Sequence, residues 1–373
     1  MKSFWSVIAL AALGCAGTGG SNMNLPASNG PMGASRLDAQ AMPQQTALTP
    51  VRSTEALPND ADDPAIWINP KDPAQSRIIG NDKHEGTGGI YVFDLQGKIV
   101  QRITPLDRPN NVDLVQGVKV GEKTLDIAVV TERKQEQLKI YSIDETGTLT
   151  DVTGKTKILP ESTGEQKAPM GVAVWKKPDG TADVFVSPKE GPKLGYIAQY
   201  KLVAGDGGKV DISFVRRLGS FSGMDKEGNG EIEAMVVDQG AGMLYFSDEL
   251  AAIKRIPADP ASKMGEFSFG RDTYKGDREG LAVIKFDKSK WLLSSDQIEN
   301  GSRLFVWDIG GRLPRRAAII PTPADSTDGL DATTANLGTE FPEGILVMMN
   351  SKDKNFMIFD LREVKRGVAA GRR

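Results

Sequence analysis

The segment "NDADDPAIWINP" (59–70) sets Asp60, Asp62 and Asp63 directly before an apolar run. Carboxylates this close repel one another unless a cation lies between them. The same residue types recur along the chain: Asp113, Glu233, Asp248, Glu249, Asp277, Glu279, Asp328 and Asp331 all fall in expected turns or at expected strand ends. Donor sets made only of oxygen suit a hard cation such as calcium, which takes many carboxylate and carbonyl ligands. Lys83, Arg133, Lys189 and Arg303 are cations in comparable places. Bound ions reverse the apparent charge of an acidic mouth, so carboxylates holding calcium beside Lys and Arg would receive a highly phosphorylated ligand.

Other chemistries are poorly supplied. His84 is the only histidine and Cys15 the only cysteine, so a histidine phosphatase motif and a cysteine phosphate loop are both excluded. A serine triad would have to recruit His84, and a zinc site lacks its usual His and Cys ligands. There is no Walker-type loop, and no basic-aromatic pattern for nucleic acid, which is not expected as a partner. "DKEGNGEIEAMV" begins at Asp225 like a calcium-binding helix-loop-helix, but Val236 stands where a bidentate Glu is needed, and strands surround it.

These side chains need a scaffold. Six segments share one shape, alternating apolar residues that run into a polar turn: "GGIYVFDLQGK", "LKIYSIDETGT", "GYIAQYKLVAGDGG", "GMLYFSDELAAIKRI", "RLFVWDIGGR" and "NFMIFDLRE". Most follow a more apolar strand, such as "LDIAVVTER" or "GILVMMNSK". Period-two alternation with Gly, Asp and Asn turns means antiparallel strands, and no stretch carries a long helical period. Multi-stranded repeats recurring through the chain give an all-β fold, a six-bladed β-propeller, in preference to a large sandwich or two smaller β domains. The more buried strand of each repeat is expected beside the central channel. Its end would deliver "NDK" (81–83), "TER" (131–133), "SPKE" (187–190), "SDE" (247–249), "SSD" (294–296) and "MNS" (349–351) to one mouth.

The chain has 373 residues and a net charge of only -3, so bulk charge implies no polyanionic partner. Residues 1–15, "MKSFWSVIALAALGC", have the pattern of a signal peptide and are too short to span a bilayer. "ALGC" resembles a bacterial lipobox with Cys15 as the acylated residue, the alternative being a plain secretory signal. The expected location is therefore the outer membrane through a lipid anchor, or the periplasm or exterior. Ala16 lacks the Asp associated with inner-membrane retention. Residues 16–50, rich in Gly, Ser, Pro, Asn and Gln, read as a disordered linker. Residues 51–364 are the propeller, and 365–373 a solvated basic tail.

The motifs together resemble the β-propeller phytases, the calcium-dependent alkaline phytases of bacteria. They are "DADDPAIWINPKDPAQSRIIGNDK", "NNVDL", "KEG", "EAMVVDQGAGMLYFSDE", "REGLAVI" and "TDGLDATTANLGTEFPEGILV", in family order over residues 55 to 362. The resemblance implies a monomeric six-bladed propeller that scavenges phosphate by hydrolysing phytate (inositol hexakisphosphate) or other inositol phosphates, as a 3-phytase, with several calcium ions at the mouth. It implies metal ligands at Asp62, Asp63, Glu233, Asp248, Glu249, Asp277, Glu279, Asp328 and Asp331, and phosphate contacts from Lys83, Arg133, Lys189 and Glu190. Glu233, Asp277, Glu279, Lys83 and Arg133 would carry catalysis by metal-activated water, without a covalent intermediate, at neutral to alkaline pH. Met170 stands where the family has Tyr, His84 where it has a second Lys, and Leu250 and Asn350 where it has acids. Two rival readings stay open: a propeller that binds phosphorylated ligands without turnover, and a calcium-propeller lactonase or esterase that would use His84.

Overall fold

Ala182–Pro188 buries all of its residues, and its alternate side chains enter two different cores. Val184 and Val186 pack with Val129 and Ile140 on one side, whereas Phe185 packs with Leu244 and Phe246 on the other. A sheet covered on both faces gains by being apolar on both, which is why such strands read as continuous hydrophobic runs. The computed structural model describes residues 46–225, 230–271 and 273–371. They form six four-stranded antiparallel sheets arranged as a six-bladed propeller, as the repeat predicts. Each of the six apolar clusters lies between two successive blades.

The innermost strands of blades one to six are Ala61–Trp67, Pro109–Val120, Pro169–Lys176, Met235–Asp238, Arg278–Lys285 and Leu330–Thr333. The second strands are Arg77–Asp82, Lys123–Glu132, Ala182–Pro188, Met243–Asp248, Lys290–Asp296 and Ile345–Asn350. This corrects the expected layout. The segments ending in "NDK", "TER", "SPKE", "SDE", "SSD" and "MNS" are second strands, not innermost ones. Because the two strands run antiparallel, the ends of the second strands still reach the same mouth as the starts of the inner strands.

Ring closure uses both ends of the described chain. Arg52–Ser53 pairs with Asn355–Asp360, Arg52 opposite Ile358, and so supplies the fourth strand of blade six. The boundaries differ from expectation at both ends. Leu48, placed in the linker, is buried, and its N–H donates to Pro321 O at 2.9 Å. Residues 372 and 373 of the expected basic tail lie outside the described residues, and 365–371 belong to the helix Leu361–Gly371, whose Leu361, Val364 and Val368 are buried against Ala318 and Ile320. Their three- and four-residue spacing places them on one helical face. Residues 1–45 and so the signal, Cys15 and most of the linker lie outside the described residues.

Candidate active site

Most inner strands begin with an irregularity. Opposite the second strand, the register runs Ala61↔Asp82 then Pro64↔Gly80, Pro109↔Glu132 then Val112↔Val130, and Pro169↔Pro188 then Val172↔Val186. The inner strand thus carries an extra residue in each of these blades, and a similar shift falls between Glu279 and Leu281. Such a bulge turns a side chain out of the ladder. The residues in this register position are Asp62, Asn110, Met170, Glu233, Glu279 and Asp328, and they ring the mouth. The following residue is Gly in three blades. A Cβ at Gly171 would collide with the Glu233 carbonyl, and one at Gly329 with Asp63, so glycine lets successive inner strands close together here.

The last residue of the second strand has a different duty. Asp82 accepts from Asp60 N at 2.8 Å, Glu132 from Asp107 N at 3.0 Å and Asp248 from Ser222 N at 2.9 Å. Asp296 accepts from Gly276 N at 2.8 Å, and Asn350 Oδ1 from Asp325 N at 3.1 Å. Each fixes the loop that enters its own blade. The next residue along reaches outward: Lys83, Arg133, Lys189, Glu249 and Gln297. Their backbone N–H groups donate to Asp60 O, Arg108 O, Ala168 O, Glu231 O and Asp277 O respectively. This hydrogen bond, repeated from blade to blade, sets a further register position around the mouth, occupied by Asp60, Arg108, Ala168, Glu231 and Asp277.

One arc of the mouth is acidic. Glu249, Asp277 and Glu279 each offer a carboxylate oxygen within 4.8 Å of the others. Burial, then the neighbouring Glu233 and Asp277, push Glu249 well above the usual carboxylate range. Burial, then Glu249 and Glu233, do the same to Glu279. Glu233 lies beside them, raised chiefly by burial, with its Oε1 accepting from Asn110 Nδ2 at 2.7 Å. The neighbouring arc, in blades two and three, is basic. Arg133 Nη2 lies 3.3 Å from Glu165 Oε2, and Lys189 pairs with Glu231. Burial, then Arg133, hold the Lys189 ammonium below its ordinary range. Lys83 joins the arcs: its Nζ lies 2.7 Å from Asp62 Oδ1 and 3.2 Å from Asp328 Oδ2. Burial pulls its pKa down, but Asp62, Asp328 and Glu233 outweigh that and keep the ammonium charged. Gln297 donates to Asp328 from the other side.

The remaining sequence candidates divide. Asp63, Asp113 and Asp331 lie deeper, along a cavity of about 40 Å³ that runs between the inner strands. Each accepts a backbone N–H from the next blade: Asp63 from Val112 at 3.2 Å, Asp113 from Val174 at 2.7 Å, and Asp331 from Ile66 at 2.8 Å. Asp248 accepts from Lys254 at 2.6 Å and from Ser222 Oγ at 2.7 Å, which occupies one of its oxygens. Arg303 does not face the mouth cations; it holds Asp296 and donates to Thr273 O at 2.7 Å. Glu190 is exposed on the rim. Asn110, Gln297 and Arg108 are mouth residues that the sequence reading passes over, although they occupy the register positions of Glu233, Glu249 and Asp277.

The departures also find places. Met170 is 3% exposed, and its carbonyl accepts from Thr131 Oγ1 at 2.7 Å. Leu250 is exposed. Asn350, besides its loop contact, donates to Asp353 and Asn355. His84 is exposed, its Nδ1 2.9 Å from Thr87 Oγ1. Val236 lies in the strand Met235–Asp238, which fits no helix-loop-helix calcium hand; Lys226 to Asn229 lie outside the described residues.

Against known proteins, the family model described as Phytase matches residues 22–357. The chain belongs to the phytase family. A "3-phytase" of Bacillus subtilis (strain 168) is 27% identical over 320 residues, covering 83% of this chain and 78% of that protein. Two solved structures are similar at lower levels. A protein of unknown function from Bacteroides thetaiotaomicron VPI-5482 has a TM-score of 0.46 at 9% identity, covering 86% of this chain and 75% of that one. A protein from Lactobacillus plantarum has a TM-score of 0.46 at 15% identity, covering 81% of each chain. The phytase-family assignment makes the chain a phosphate-releasing hydrolase, and places the mouth residues in a phytase.

Proposed function

We propose that the chain is an exported, calcium-dependent 3-phytase that hydrolyses phosphomonoesters of inositol hexakisphosphate. The observation that carries the reading is the convergence of Glu249, Asp277 and Glu279 within 4.8 Å, beside the cations Arg133 and Lys189. Three carboxylates held this close in a buried mouth are costly without a cation between them. The donors are all oxygen, which suits calcium better than zinc or copper. The fit extends to Glu233 and Asp328, which lie close enough to raise Glu249 as well. Asp62 and Asp328 are shared with Lys83. Asp63, Asp113 and Asp331 fit less well as ligands, because backbone amides already occupy one oxygen of Asp63 and both oxygens of Asp113 and Asp331.

When bound, calcium would supply positive charge against the phosphoryl oxygens and polarise the attacking water. The chain's own residues do the rest. Arg133 and Lys189 would receive phosphoryl groups on the basic arc, releasing Glu165 and Glu231 from their present pairs. Lys83, charged and held between Asp62 and Asp328, fixes those carboxylates and presents a positive head to the mouth. Asn110 holds Glu233 through Oε1. A substrate with several phosphates suits this layout, because one can rest on the basic arc while its neighbour meets the acidic one.

The test is phosphate release from inositol hexakisphosphate, first with calcium and then with excess chelator. Calcium-dependent release is expected. Release that survives chelation unchanged would remove calcium from the account, and a folded protein with no release would leave a binding module. A lactonase or esterase reading gains nothing from His84, which is exposed and bonded to Thr87.

A further inference from the structure

Arg108 is not among the carboxylates and lysines that the motifs single out, yet its placement is specific. It precedes the bulge of blade two, in the register position that Asp277 holds in blade five, because Arg133 N donates to Arg108 O at 3.0 Å as Gln297 N donates to Asp277 O at 3.1 Å. Its backbone is unusual. Arg108 has φ 56, in the left-handed region that non-glycine residues adopt at a cost. Its N–H donates to His84 O at 3.0 Å, which ties this conformation to the loop carrying Lys83.

The side chain is half-buried, and its Nε is buried without a hydrogen-bond partner. It forms no ion pair among the described residues. The Nε of Arg133 is in the same condition. A buried guanidinium N–H left unpaired costs free energy that a native site rarely concedes without a use. Two such donors lie on neighbouring residues of one arc, with Lys189 near enough for both arginines to lower its pKa, so three cations are clustered there. Nearby carboxylates only partly offset it: Glu165 pairs with Arg133, Glu231 with Lys189, and Asp60 feels Arg108 at longer range.

We infer that Arg108 is a substrate-binding residue, forming with Arg133 and Lys189 a subsite for a phosphoryl group of the inositol phosphate. A phosphoryl dianion carries several acceptor oxygens, and a small turn of the two guanidinium groups would let it satisfy N–H groups of both arginines at once. The position thus has opposite uses around the ring: Asp277 in the acidic arc meets a cation, and Arg108 in the basic arc meets an anion. This rests on the phytase reading for its substrate, but not for its chemistry.

The test compares wild type with Arg108→Gln and Arg108→Lys. KM and kcat are measured for inositol hexakisphosphate with calcium, alongside its calorimetric Kd and the melting temperature. For Arg108→Gln, KM and Kd should rise about tenfold, the usual worth of a charge-assisted hydrogen bond, with kcat changed far less. Arg108→Lys should recover most of the affinity, and both variants should melt close to wild type. Wild-type affinity in Arg108→Gln would overturn the inference. So would equal weakness of the Lys and Gln variants, or losses that track a lowered melting temperature. If wild type releases no phosphate, the phytase reading fails separately. Calorimetry with the hexakisphosphate then decides alone: weaker binding by Arg108→Gln supports the subsite, and equal binding or none by wild type overturns it.

Discussion

Two sets of buried or partly buried carboxylates lie a short way apart in the centre of this propeller, and they are opposites. Asp63, Asp113 and Asp331, in the channel, each accept a backbone N–H from the neighbouring blade. Glu249, Asp277 and Glu279, at the mouth, face one another. Burial is similar in kind, and residue type is the same. What differs is the partner. The channel groups are stitches between inner strands, and Asp331 to Ile66 joins blade six to blade one, where the ring must close. Of the mouth groups, Glu249 accepts Glu231 N of its own blade at 2.9 Å, but the three carboxylates still face one another, a repulsion that a bound cation would relieve. Burial and acidity alone therefore do not mark a candidate metal site; carboxylates that face one another do.

The comparison can be broken most forcefully at the mouth. Glu279→Gln should lower phosphate release by about a hundredfold or more, the scale of losing a group that stabilises transition-state charge. Its metal-free melting temperature should hold or rise, because a repulsion is removed. A large fall in stability with activity preserved would place Glu279 among the stitches. Next in size, Asp331→Ala strips the acceptor from Ile66 N and Ala332 N, both donors in the closing seam. Thermal unfolding should show a loss of about 1–3 kcal/mol, the cost of unmade buried hydrogen bonds, while calcium-dependent turnover of the remaining folded protein persists.

Acidity separates the two sets more finely. Burial raises Asp113 and Asp331 from the usual 3.8 to about 7. A carboxyl with a raised folded pKa binds more protons folded than unfolded between those values. Its contribution is complete below the ordinary carboxylate range and is lost as pH rises through about 7. The metal-free protein should therefore lose stability from these groups between pH 4 and 7, and Asp113→Asn should flatten that slope in melts across pH. At the mouth the same direction of shift makes protons compete with calcium. Calcium affinity should fall as pH drops, starting above the usual carboxylate range, which favours neutral to alkaline activity. The smallest effect belongs to His84→Ala, which should change turnover by less than about twofold, since its exposed ring is bonded to Thr87 and to no mouth carboxylate. A large loss would reopen the esterase reading.

Much of the architecture was legible because period-two alternation survives in every blade, as in "GGIYVFDLQGK" and "RLFVWDIGGR". The order of strands within a blade was harder. Innermost and second strands are both buried on two faces, so apolar content cannot rank them. The bulge was harder still. One extra residue shifts which side chain enters the mouth, and nothing in "PNNVDL" marks Asn110 rather than Asp113 as the one beside Glu233. Asp248 shows the related failure: strand-end acids look alike in sequence, but the last strand residue anchors its own loop and only the next one, Glu249, reaches the site. Arg108 was passed over because its meaning lies in its equivalence to Asp277, visible only through the backbone hydrogen bonds. At the C-terminus, Leu361, Val364 and Val368 carried a helical stripe within a segment whose charge suggested a solvated tail.

Calcium titration by calorimetry on wild type, Glu249→Gln, Glu279→Gln and Asp113→Asn tests the central distinction most directly. Wild type and Asp113→Asn should bind calcium alike at the mouth, and the two glutamate variants should lose that binding. Loss in Asp113→Asn with full binding retained by both mouth variants would contradict the account and move the metal centre into the channel.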